Sequence, residues 1–360
     1  PYGNNPSFAL STSMPPANLV NELVTSSEAG LDLKFLNNRL GFDFTAYRSV
    51  AKNQILSAPI SPTTGFNTQT INAGQVNNWG IEATITGTPI KTDKFSWDIT
   101  ANWSTNKNKI IALNGDIKRL QLYKTEGDEV IVVADVNGSY GDMWGKGFVY
   151  NESGKRIVDQ GGVPLTSELK KIGNIMPDWL GSINNSFSYK SFNFSFLIDA
   201  RWGGKIYSRT NQDGWATGAL TSTVGINAKG ASVRDPLNVG GGYLFDGVFQ
   251  DGKANDVYKY LDDFRWDPFA RAERWIYDAT YVKLRQITLG YQLPRSLVGK
   301  IKVSGIDVSV FARNVAILYK NSENFDPEVS NRGAAQSSQG SEFAAPPSAR
   351  NIGARIRITF

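Results

Sequence analysis

Two residue types are missing from this sequence, and their absence limits its chemistry. None of its 360 residues is a cysteine or a histidine. The chain therefore has no disulfide framework, no thiolate or imidazole metal site, no Ser-His-Asp triad and no Cys-His dyad. Catalysis would have to rely on carboxylates, lysine or tyrosine, and no carboxylate pair lies on a defined scaffold. We therefore expect that the protein is not an enzyme.

Long hydrophobic runs are also missing. The longest purely aliphatic run, Val130 to Ala134, is far shorter than the roughly 18 to 20 residues of a membrane-spanning helix, which excludes a helical membrane protein. The net charge of +5 is mild and decides nothing about nucleic acid, and no nucleic-acid partner is expected. In contrast, 35 glycines, 9 tryptophans, 14 tyrosines and 19 phenylalanines are present. These numbers are typical of many strands with tight turns and interfacial aromatic residues.

Apolar and polar residues alternate over about nine segments of roughly ten residues, the length of a tilted strand that crosses a bilayer. In the clearest segment, 95–104, aromatic and aliphatic residues at odd positions alternate with polar residues at even positions. The predicted strands are 31–35, 40–46, 79–88, 95–104, 180–189, 192–201, 281–293, 306–313 and 351–360. The expected fold is all-β: a transmembrane antiparallel β-barrel with long extracellular loops.

The connections between these strands alternate in length. The short ones are 37–38, 89–94, 190–191 and 294–302, and the long ones are 51–78, 107–178, 202–280 and 314–350. Outer-membrane barrels have short periplasmic turns and longer extracellular loops. We therefore expect an extracellular loop and strand end over 1–27 and barrel wall over 28–360. A soluble β-sandwich or propeller is the alternative, but its strands are shorter and its loops do not sort by length.

The number of predicted strands is odd, and an odd number cannot close an antiparallel barrel. We therefore expect the N-terminal remainder of the same protein, before Pro1, to supply the other strands. A lone copy of this chain would expose unpaired strand edges at both ends, and such edges promote aggregation.

Aromatic residues fall near the predicted strand ends, where a barrel meets the membrane interfaces. The predicted membrane girdle consists of Tyr47, Trp79, Trp103, Tyr189, Tyr281 and Tyr291. Polar residues of the strands should face the lumen, where they would hold a plug or line the substrate path. These residues are Asp43, Glu82, Asp98, Asn102, Asp199, Arg201, Arg313, Arg355 and Arg357. A simple solvated position is the alternative for each of them.

Several short motifs occur in a specific order over nearly the whole chain. They are Glu28-Ala-Gly-Leu-Asp-Leu-Lys-Phe-Leu-Asn-Asn-Arg39, Asn72-Ala-Gly74, Asn78-Trp-Gly-Ile-Glu82, Gly173-Asn-Ile-Met-Pro-Asp-Trp179, Tyr189-Lys-Ser-Phe192, Asp278-Ala-Thr-Tyr-Val-Lys-Leu-Arg-Gln-Ile-Thr-Leu-Gly-Tyr-Gln-Leu-Pro294, Asn314-Val315, Asp326-Pro-Glu328 and the terminal Phe360. Together they resemble the SusC/RagA-like TonB-dependent outer-membrane transporters. The motif at 78–82 is shared by TonB-dependent receptors generally and supports the broader class.

The resemblance implies a plug domain, absent from this chain, inside a barrel of about 22 strands, of which this chain is the C-terminal part. It implies import of an oligosaccharide or peptide across the outer membrane of a Gram-negative bacterium. The implied partners are a SusD-like surface lipoprotein that forms a lid, and TonB-ExbB-ExbD acting through the missing N-terminal region. Outer-membrane lipid and the barrel assembly machinery, with Phe360 as the assembly signal, complete the expected partners.

Large aromatic residues in the long loops are candidates for stacking on a substrate. They are Trp144, Tyr207, Trp215, Tyr243, Trp266 and Trp275. The alternative is that they pack together to keep the long loops ordered, or that the loop 202–280 contacts the lid.

No cofactor is expected. The acidic residues Asp262, Asp263 and Asp267 do not have the spacing of a calcium loop, so calcium in a loop or a partner has no motif to support it. The alternative functions are a TonB-dependent siderophore or vitamin receptor, a passive porin, and a surface adhesin or signalling receptor on the same barrel.

Overall fold

A sheet of nine antiparallel strands dominates the structure. The computed structural model describes residues 12–16, 18–72, 74–115, 117–125, 127, 129–261, 271–299, 303–329 and 339–360. The wall strands are β1 (Leu23–Phe35), β2 (Leu40–Lys52), β3 (Gln75–Lys91), β4 (Phe95–Ala112), β5 (Trp179–Tyr189), β6 (Phe192–Trp202), β7 (Tyr281–Gln292), β8 (Gly305–Lys320) and β9 (Asn351–Thr359). They lie side by side in sequence order. The prediction of nine antiparallel strands and an all-β fold is confirmed.

The two faces of the sheet differ because side chains alternate along each strand and directly opposite residues share a face. On the apolar face, Ile183 lies opposite both Ala101 and Ile198. On the same face the rings of Trp97 and Phe187 stack with their centroids 5.7 Å apart. Many large side chains of this face are exposed. Hydrocarbon favours such a surface and water does not, so the apolar face is the membrane face.

Connections at one edge of the sheet are short and those at the other edge are long. The short ones are 36–39, 92–94, 190–191 and 293–304, and the long ones are 53–74, 113–178, 203–280 and 321–350. The first turn is tight because Leu36, Asn37 and Asn38 all adopt positive φ, a conformation that asparagine tolerates well. The predicted alternation of short and long connections is confirmed.

Several strands extend further than the sequence pattern indicates. The first begins at Leu23, and β4 continues to Ala112. Only the part of a strand that contacts lipid requires an apolar face, and the backbone pairing continues beyond that part. The outer strand ends therefore show no alternation of apolar and polar residues in the sequence.

The long connections contain small sheets of their own. A four-stranded antiparallel sheet, the loop sheet, is formed by Arg119–Lys124, Val130–Asp135, Tyr140–Gly145 and Lys170–Asn174. The other loop strands are Ser13–Met14, Ile55–Pro59, Thr68–Asn72, Lys205–Ser208, Tyr243–Leu244, Tyr258–Lys259, Ile276–Asp278 and Ser341–Glu342. In the described residues the α-helices are α1 (Arg209–Ala216) and α2 (Arg295–Val298), and short 3-10 turns lie at Pro62–Thr64, Thr221–Thr223, Leu237–Val239 and Ala272–Trp275.

The largest buried core lies in the loops. Its fully buried members include Val130, Met143, Trp215 and Trp275, contributed by the connections 113–178 and 203–280. Because the two long loops share this core, they form one packed body above the wall. Among the helices of the described residues, none is both long and apolar enough to cross a membrane.

Candidate functional site

A row of polar residues crosses the polar face of the wall. From β2 to β7, its directly opposed members are Asp43, Thr84, Asn102, Ser182, Asp199 and Lys283. Neighbours in the row form hydrogen bonds through their side chains. The Thr84 hydroxyl donates to Asn102 Oδ1 at 2.9 Å, and Asn102 Nδ2 donates to the Ser182 hydroxyl at 3.2 Å. A continuous hydrophilic surface of this kind suits a water-filled lumen.

The structure places all nine predicted lumen-facing residues on this polar face. Glu82 lies opposite Thr45 and Ser104, and Arg357 lies opposite Asp307. Asp199 and Arg201 are partly buried by loop residues. The other seven are exposed: Asp43, Glu82, Asp98, Asn102, Arg313, Arg355 and Arg357. A contact between these side chains and a plug or a substrate stays a prediction.

Five charged residues on this face form a closed ion cluster, which we call the clamp. It consists of Asp199, Lys283, Arg285, Asp326 and Glu328. The Lys283 ammonium contacts both Asp326 oxygens at 2.7 Å and Glu328 at 2.6 Å. The Arg285 guanidinium makes one bidentate pair with Asp199, at 2.7 and 2.8 Å, and contacts both Glu328 oxygens at 2.7 Å. The clamp thus joins the loop after β8 to strands β6 and β7.

The charges at the centre of the clamp are buried, so their stability depends strongly on their pairing with one another. The side chains of Lys283 and Asp326 are 5% and 6% exposed. The Lys283 ammonium also lies 4.7 Å from the centroid of the Tyr281 ring, a cation–π arrangement. An unpaired charge at this depth would be costly, because burial removes the water that would otherwise solvate it. The loop is therefore held against the inner wall by contacts that no solvent can replace.

A β-bulge aims Arg285 into the clamp. On β7, Leu284 lies opposite Ile198 whereas Gln286 lies opposite Leu197, so Arg285 is the extra residue. Two consecutive side chains, Arg285 and Gln286, consequently lie on the polar face. The backbone of β8 adapts at the same level, where Asn314 adopts a positive φ and accepts a hydrogen bond from Arg285 at 3.3 Å. The bulge gives the wall a cation that regular alternation could not place there.

The outer end of β7 is fixed by Asp278. Its carboxylate accepts hydrogen bonds from the Thr280 amide at 2.9 Å and from Asn321 at 3.3 Å, and pairs with Lys205 at 3.2 Å. Partial burial opposes ionisation, but the hydrogen bonds from Thr280 and Lys205 outweigh it and hold the pKa of Asp278 below its usual value. The Thr280 hydroxyl in turn accepts from the Gly203 amide at 2.9 Å. These contacts join the loop 203–280 and the loop after β8 to the strand that carries the clamp.

The clamp should open only in strongly acidic solution. Partial burial raises the pKa of Glu328, but hydrogen bonds from Arg285 and Lys283 outweigh this effect and lower the pKa from 4.5 to about 2. A carboxylate whose folded pKa is depressed stabilises the fold above its unfolded pKa, and this stabilisation is lost as the pH falls through the folded value. We therefore expect the contribution of Glu328 to be complete above pH 4.5 and to disappear toward pH 2.

Cleavage of the loop 321–329 by pepsin, followed across this pH range in the full-length protein, would measure the opening. Glu328→Gln is the control, because it removes the Glu328 carboxylate and with it the pH-dependent step that this group causes. Release of the wild-type loop already near pH 4.5 would contradict the expectation.

Two predicted girdle residues lie on the wrong face for membrane contact. Tyr47 shares the polar face with Asp43, and its hydroxyl donates to Asn106 at 3.3 Å. Tyr281 lies opposite Arg201 on the same face and is 7% exposed. The girdle prediction is wrong for both: Tyr47 follows the polar parity of β2, and the bulge in β7 reverses the parity above Arg285.

The other predicted girdle residues, Trp79, Trp103, Tyr189 and Tyr291, lie on the apolar face. Tyr189 and Tyr291 are near strand ends, whereas Trp79 and Trp103 lie inside β3 and β4, which extend beyond them toward the long loops. Three aromatic residues at the long-loop edge were not predicted. Trp202 stacks on Trp179 with a centroid distance of 5.7 Å and on Tyr319 with 6.4 Å. Their positions at or next to the strand ends that meet the long loops would have indicated them. Contact of this aromatic row with lipid headgroups stays a prediction.

Three of the six predicted substrate-stacking residues have a structural role instead. Tyr207, Trp215 and Trp275 are between 0% and 2% exposed in the loop core, so they offer no surface to a substrate, and the prediction is wrong for them. Long loops need such buried aromatic anchors to stay ordered. Trp144 is half-buried beneath Arg119, whose guanidinium lies 3.8 Å from the ring centroid. Tyr243 is also half-buried, and Trp266 lies outside the described residues.

No group of three or more acidic side chains in the described part of the chain is arranged to hold a metal ion. Asp262, Asp263 and Asp267 lie outside that part. The clamp itself was missed by sequence reasoning. Two signs of it were readable: Arg285 and Gln286 break the alternation of β7, and acidic residues flank a proline at Asp326-Pro-Glu328.

Comparison with known proteins identifies the wall. A family model described as "TonB dependent receptor-like, beta-barrel" matches residues 2–315. The chain is 29% identical to the TonB-dependent receptor SusC of Bacteroides thetaiotaomicron, over 89% of this chain and 31% of that protein. It is 24% identical to the TonB-dependent receptor P3 of Formosa agariphila, over 95% of this chain and 34% of that protein. This chain thus spans about a third of the length of these relatives.

The fold agrees with a solved structure. The chain superposes on the RagAB peptide importer in its closed-closed state with a TM-score of 0.65 and 19% identity, covering 94% of this chain and 35% of that one. At this identity the likeness supports the fold. Together with the matched family model, it shows that this chain belongs to the TonB-dependent receptor-like β-barrel family and is an outer-membrane, SusC/RagA-like barrel wall.

Proposed function

We propose that the protein imports a large nutrient, an oligosaccharide or a peptide, across the outer membrane with energy delivered through TonB. The observation that supports this most is the continuous polar face of the wall, which suits the lining of an aqueous lumen. The clamp adds to it, because a loop fixed to that face narrows the lumen instead of leaving it open. A plug supplied by the rest of the protein would block the remaining path.

Uptake by living cells tests this proposal. Cells that express the full-length protein should take up fluorescently labelled oligosaccharides or peptides, and deletion of the TonB gene should abolish that uptake. A passive porin would conduct in the absence of TonB. Uptake that persists at the wild-type rate without TonB would therefore refute the import mechanism.

We also propose a SusD-like surface lipoprotein as a partner, and an exposed apolar patch of the loop 203–280 as its contact surface. Val224, Ile226, Leu237 and Val239 form this lid patch and are 47% to 71% exposed. The Asn227 amide donates to the Gly240 carbonyl at 2.9 Å and so holds the two halves of the patch together. Apolar surface displayed in this way is typical of a protein-binding site.

Changing Ile226 and Val239 together to aspartate should reduce co-purification of the lipoprotein at least tenfold, on the order of the loss of one interface hot spot. The measurement is quantitative mass spectrometry of the complex extracted in mild detergent. Leu169→Asp is the matched control, because Leu169 is also exposed, at 44%, but lies in another loop. Undiminished lipoprotein in the double variant would exclude this patch as the contact.

A further inference from the structure

A cavity of about 480 Å³ lies between the wall and the loop sheet. Its floor is the polar face of β3 and β4 at their outer ends, where Asn78 lies directly opposite Asn108 and Val76 opposite Ile110. Its roof is formed by the first two strands of the loop sheet, which contribute Leu120, Gln121, Leu122 and Ala134. The volume is within the roughly 300 to 1,000 Å³ of small-molecule sites.

The wall is shaped for this cavity at Gly80. A β-carbon added there would approach the Thr105 carbonyl oxygen to 2.4 Å and the Tyr47 hydroxyl to 2.5 Å. Glycine therefore lets the Tyr47 ring lie flat on the strand, from where its hydroxyl donates to the Asn106 carbonyl oxygen at 3.3 Å. This bond orients Asn106 at the edge of the cavity.

The polar lining of the cavity is made of uncharged groups. None of the described residues that line it is acidic or basic. Asn78 lines the cavity from the floor and Gln121 from the roof. Both are half-buried, and their carboxamides have no hydrogen-bond partner among the described residues. The side-chain oxygen of Asn108 accepts a hydrogen bond from the Tyr140 backbone amide at 2.6 Å. The side-chain NH₂ group of Asn108 is thus left for another acceptor. Unused donors and acceptors thus converge on the same space.

The apolar part of the lining includes a firmly packed group. Ile110, Leu120 and Ala134 are between 1% and 6% exposed and belong to one buried cluster. A saccharide suits such a mixed surface, because each hydroxyl both donates and accepts while the ring carbons present apolar faces. A free peptide or an acidic sugar would bring a charge into a cavity with no counter-charge, and burying it unpaired would be costly.

We propose that this cavity is a subsite for a neutral, hydroxyl-rich saccharide unit, held by Asn78 and Gln121. This inference rests on the proposed import function and names the substrate class for it. Each of the two carboxamides hydrogen-bonds a sugar hydroxyl from one side of the cavity. The apolar cluster contacts the ring carbons.

Isothermal titration calorimetry on the full-length protein in detergent tests the subsite. The probes are neutral gluco-, manno- and galacto-oligosaccharides, the corresponding oligouronates, and peptides with acetylated and amidated ends. We expect the neutral oligosaccharides to bind most tightly, and Asn78→Leu and Gln121→Leu each to weaken them roughly tenfold, the worth of one lost hydrogen bond. Asn77→Leu is the control, because the adjacent Asn77 has the same chemistry on the opposite face of β3.

Three results would overturn the subsite: unchanged affinity in both variants, no neutral saccharide bound by the wild type, or a variant effect confined to the capped peptides. Failure of the import proposal is separable from these. Loss of affinity in Asn78→Leu without TonB-dependent uptake would leave the subsite standing and the import proposal refuted. TonB-dependent uptake with unchanged affinity in both variants would refute the subsite and support the import proposal.

Discussion

Replacing Lys283 by methionine should lower the free energy of unfolding of the full-length barrel by about 3 to 5 kcal/mol. Lys283 is the cation shared by Asp326 and Glu328, and its side chain is 5% exposed. Methionine fills similar space but supplies no charge, so the Asp326 carboxylate, 6% exposed, would remain buried without its partner. The loop 321–329 should then leave the wall. Denaturant unfolding in detergent measures the first effect, and protease cleavage of the loop measures the second.

Two further variants distinguish the loss of the buried Lys283 charge from the loss of an exposed charge. Lys34→Met removes the cation of an exposed pair with Asp32, whose two side chains are each 60% exposed, and should cost at most about 1 kcal/mol. Combining Lys283→Met with Asp326→Asn removes the stranded charge and should recover part of the lost stability. A Lys283→Met protein as stable as the wild type, with its loop still protected, would show that the clamp does not fix the loop.

Trp215→Ala should destabilise the loop body by about 3 to 5 kcal/mol, the range for truncation of a large buried aromatic side chain. Trp215 is 1% exposed on helix α1 and packs edge-to-face on Tyr243 with a centroid distance of 5.9 Å. The Arg274 guanidinium lies 4.5 Å from its ring centroid. Because both long loops contribute to this core, its loss should release both of them. Hydrogen exchange in 113–178 and 203–280 is the measurement.

The same variant separates a structural tryptophan from a binding one. If Trp215 anchors the loops, Trp215→Phe should restore most of the protection, because phenylalanine keeps an aromatic ring in the core. Phe343→Ala is the control, since Phe343 is a loop aromatic residue that is 38% exposed and should tolerate truncation. Unchanged hydrogen exchange in Trp215→Ala, together with weaker substrate binding, would show that Trp215 binds substrate and does not anchor the loops.

The wall was predictable from sequence because the membrane imposes a period of two on it. Lipid on one side and water on the other require alternation over most of each strand, as in 95–104 and 192–201, and this pattern gave all nine strands and their order. The faces of Asp98 and Asp199 follow from the same rule. At the outer strand ends, such as the final residues of β4, both faces meet polar surroundings and the pattern ends before the strand does.

The loop residues were not predictable in this way, because a buried and an exposed aromatic residue look alike in a sequence without periodicity. Trp215 and Trp275 became core residues through contacts with Val130 and Met143, which are distant in the chain. The clamp depends on Lys283 and Asp326 meeting across 43 positions. The cavity depends on Gln121 lying above Asn78. Such pairings are set by tertiary packing, which local patterns do not encode.

The bulge at Arg285 divides β7 into two stretches of opposite parity. Below it, Ile287 and Leu289 face lipid, and above it Tyr281 and Lys283, also odd-numbered, face the lumen. Deleting Arg285, the extra residue, would therefore leave regular pairing, with Leu284 still opposite Ile198 and Gln286 still opposite Leu197, and would keep the Lys283 ammonium on the lumen face. Over evolutionary time, β7 can therefore gain or lose this one residue without changing the faces of its neighbours, whereas a single-residue change elsewhere in the strand would move every side chain beyond it to the other face.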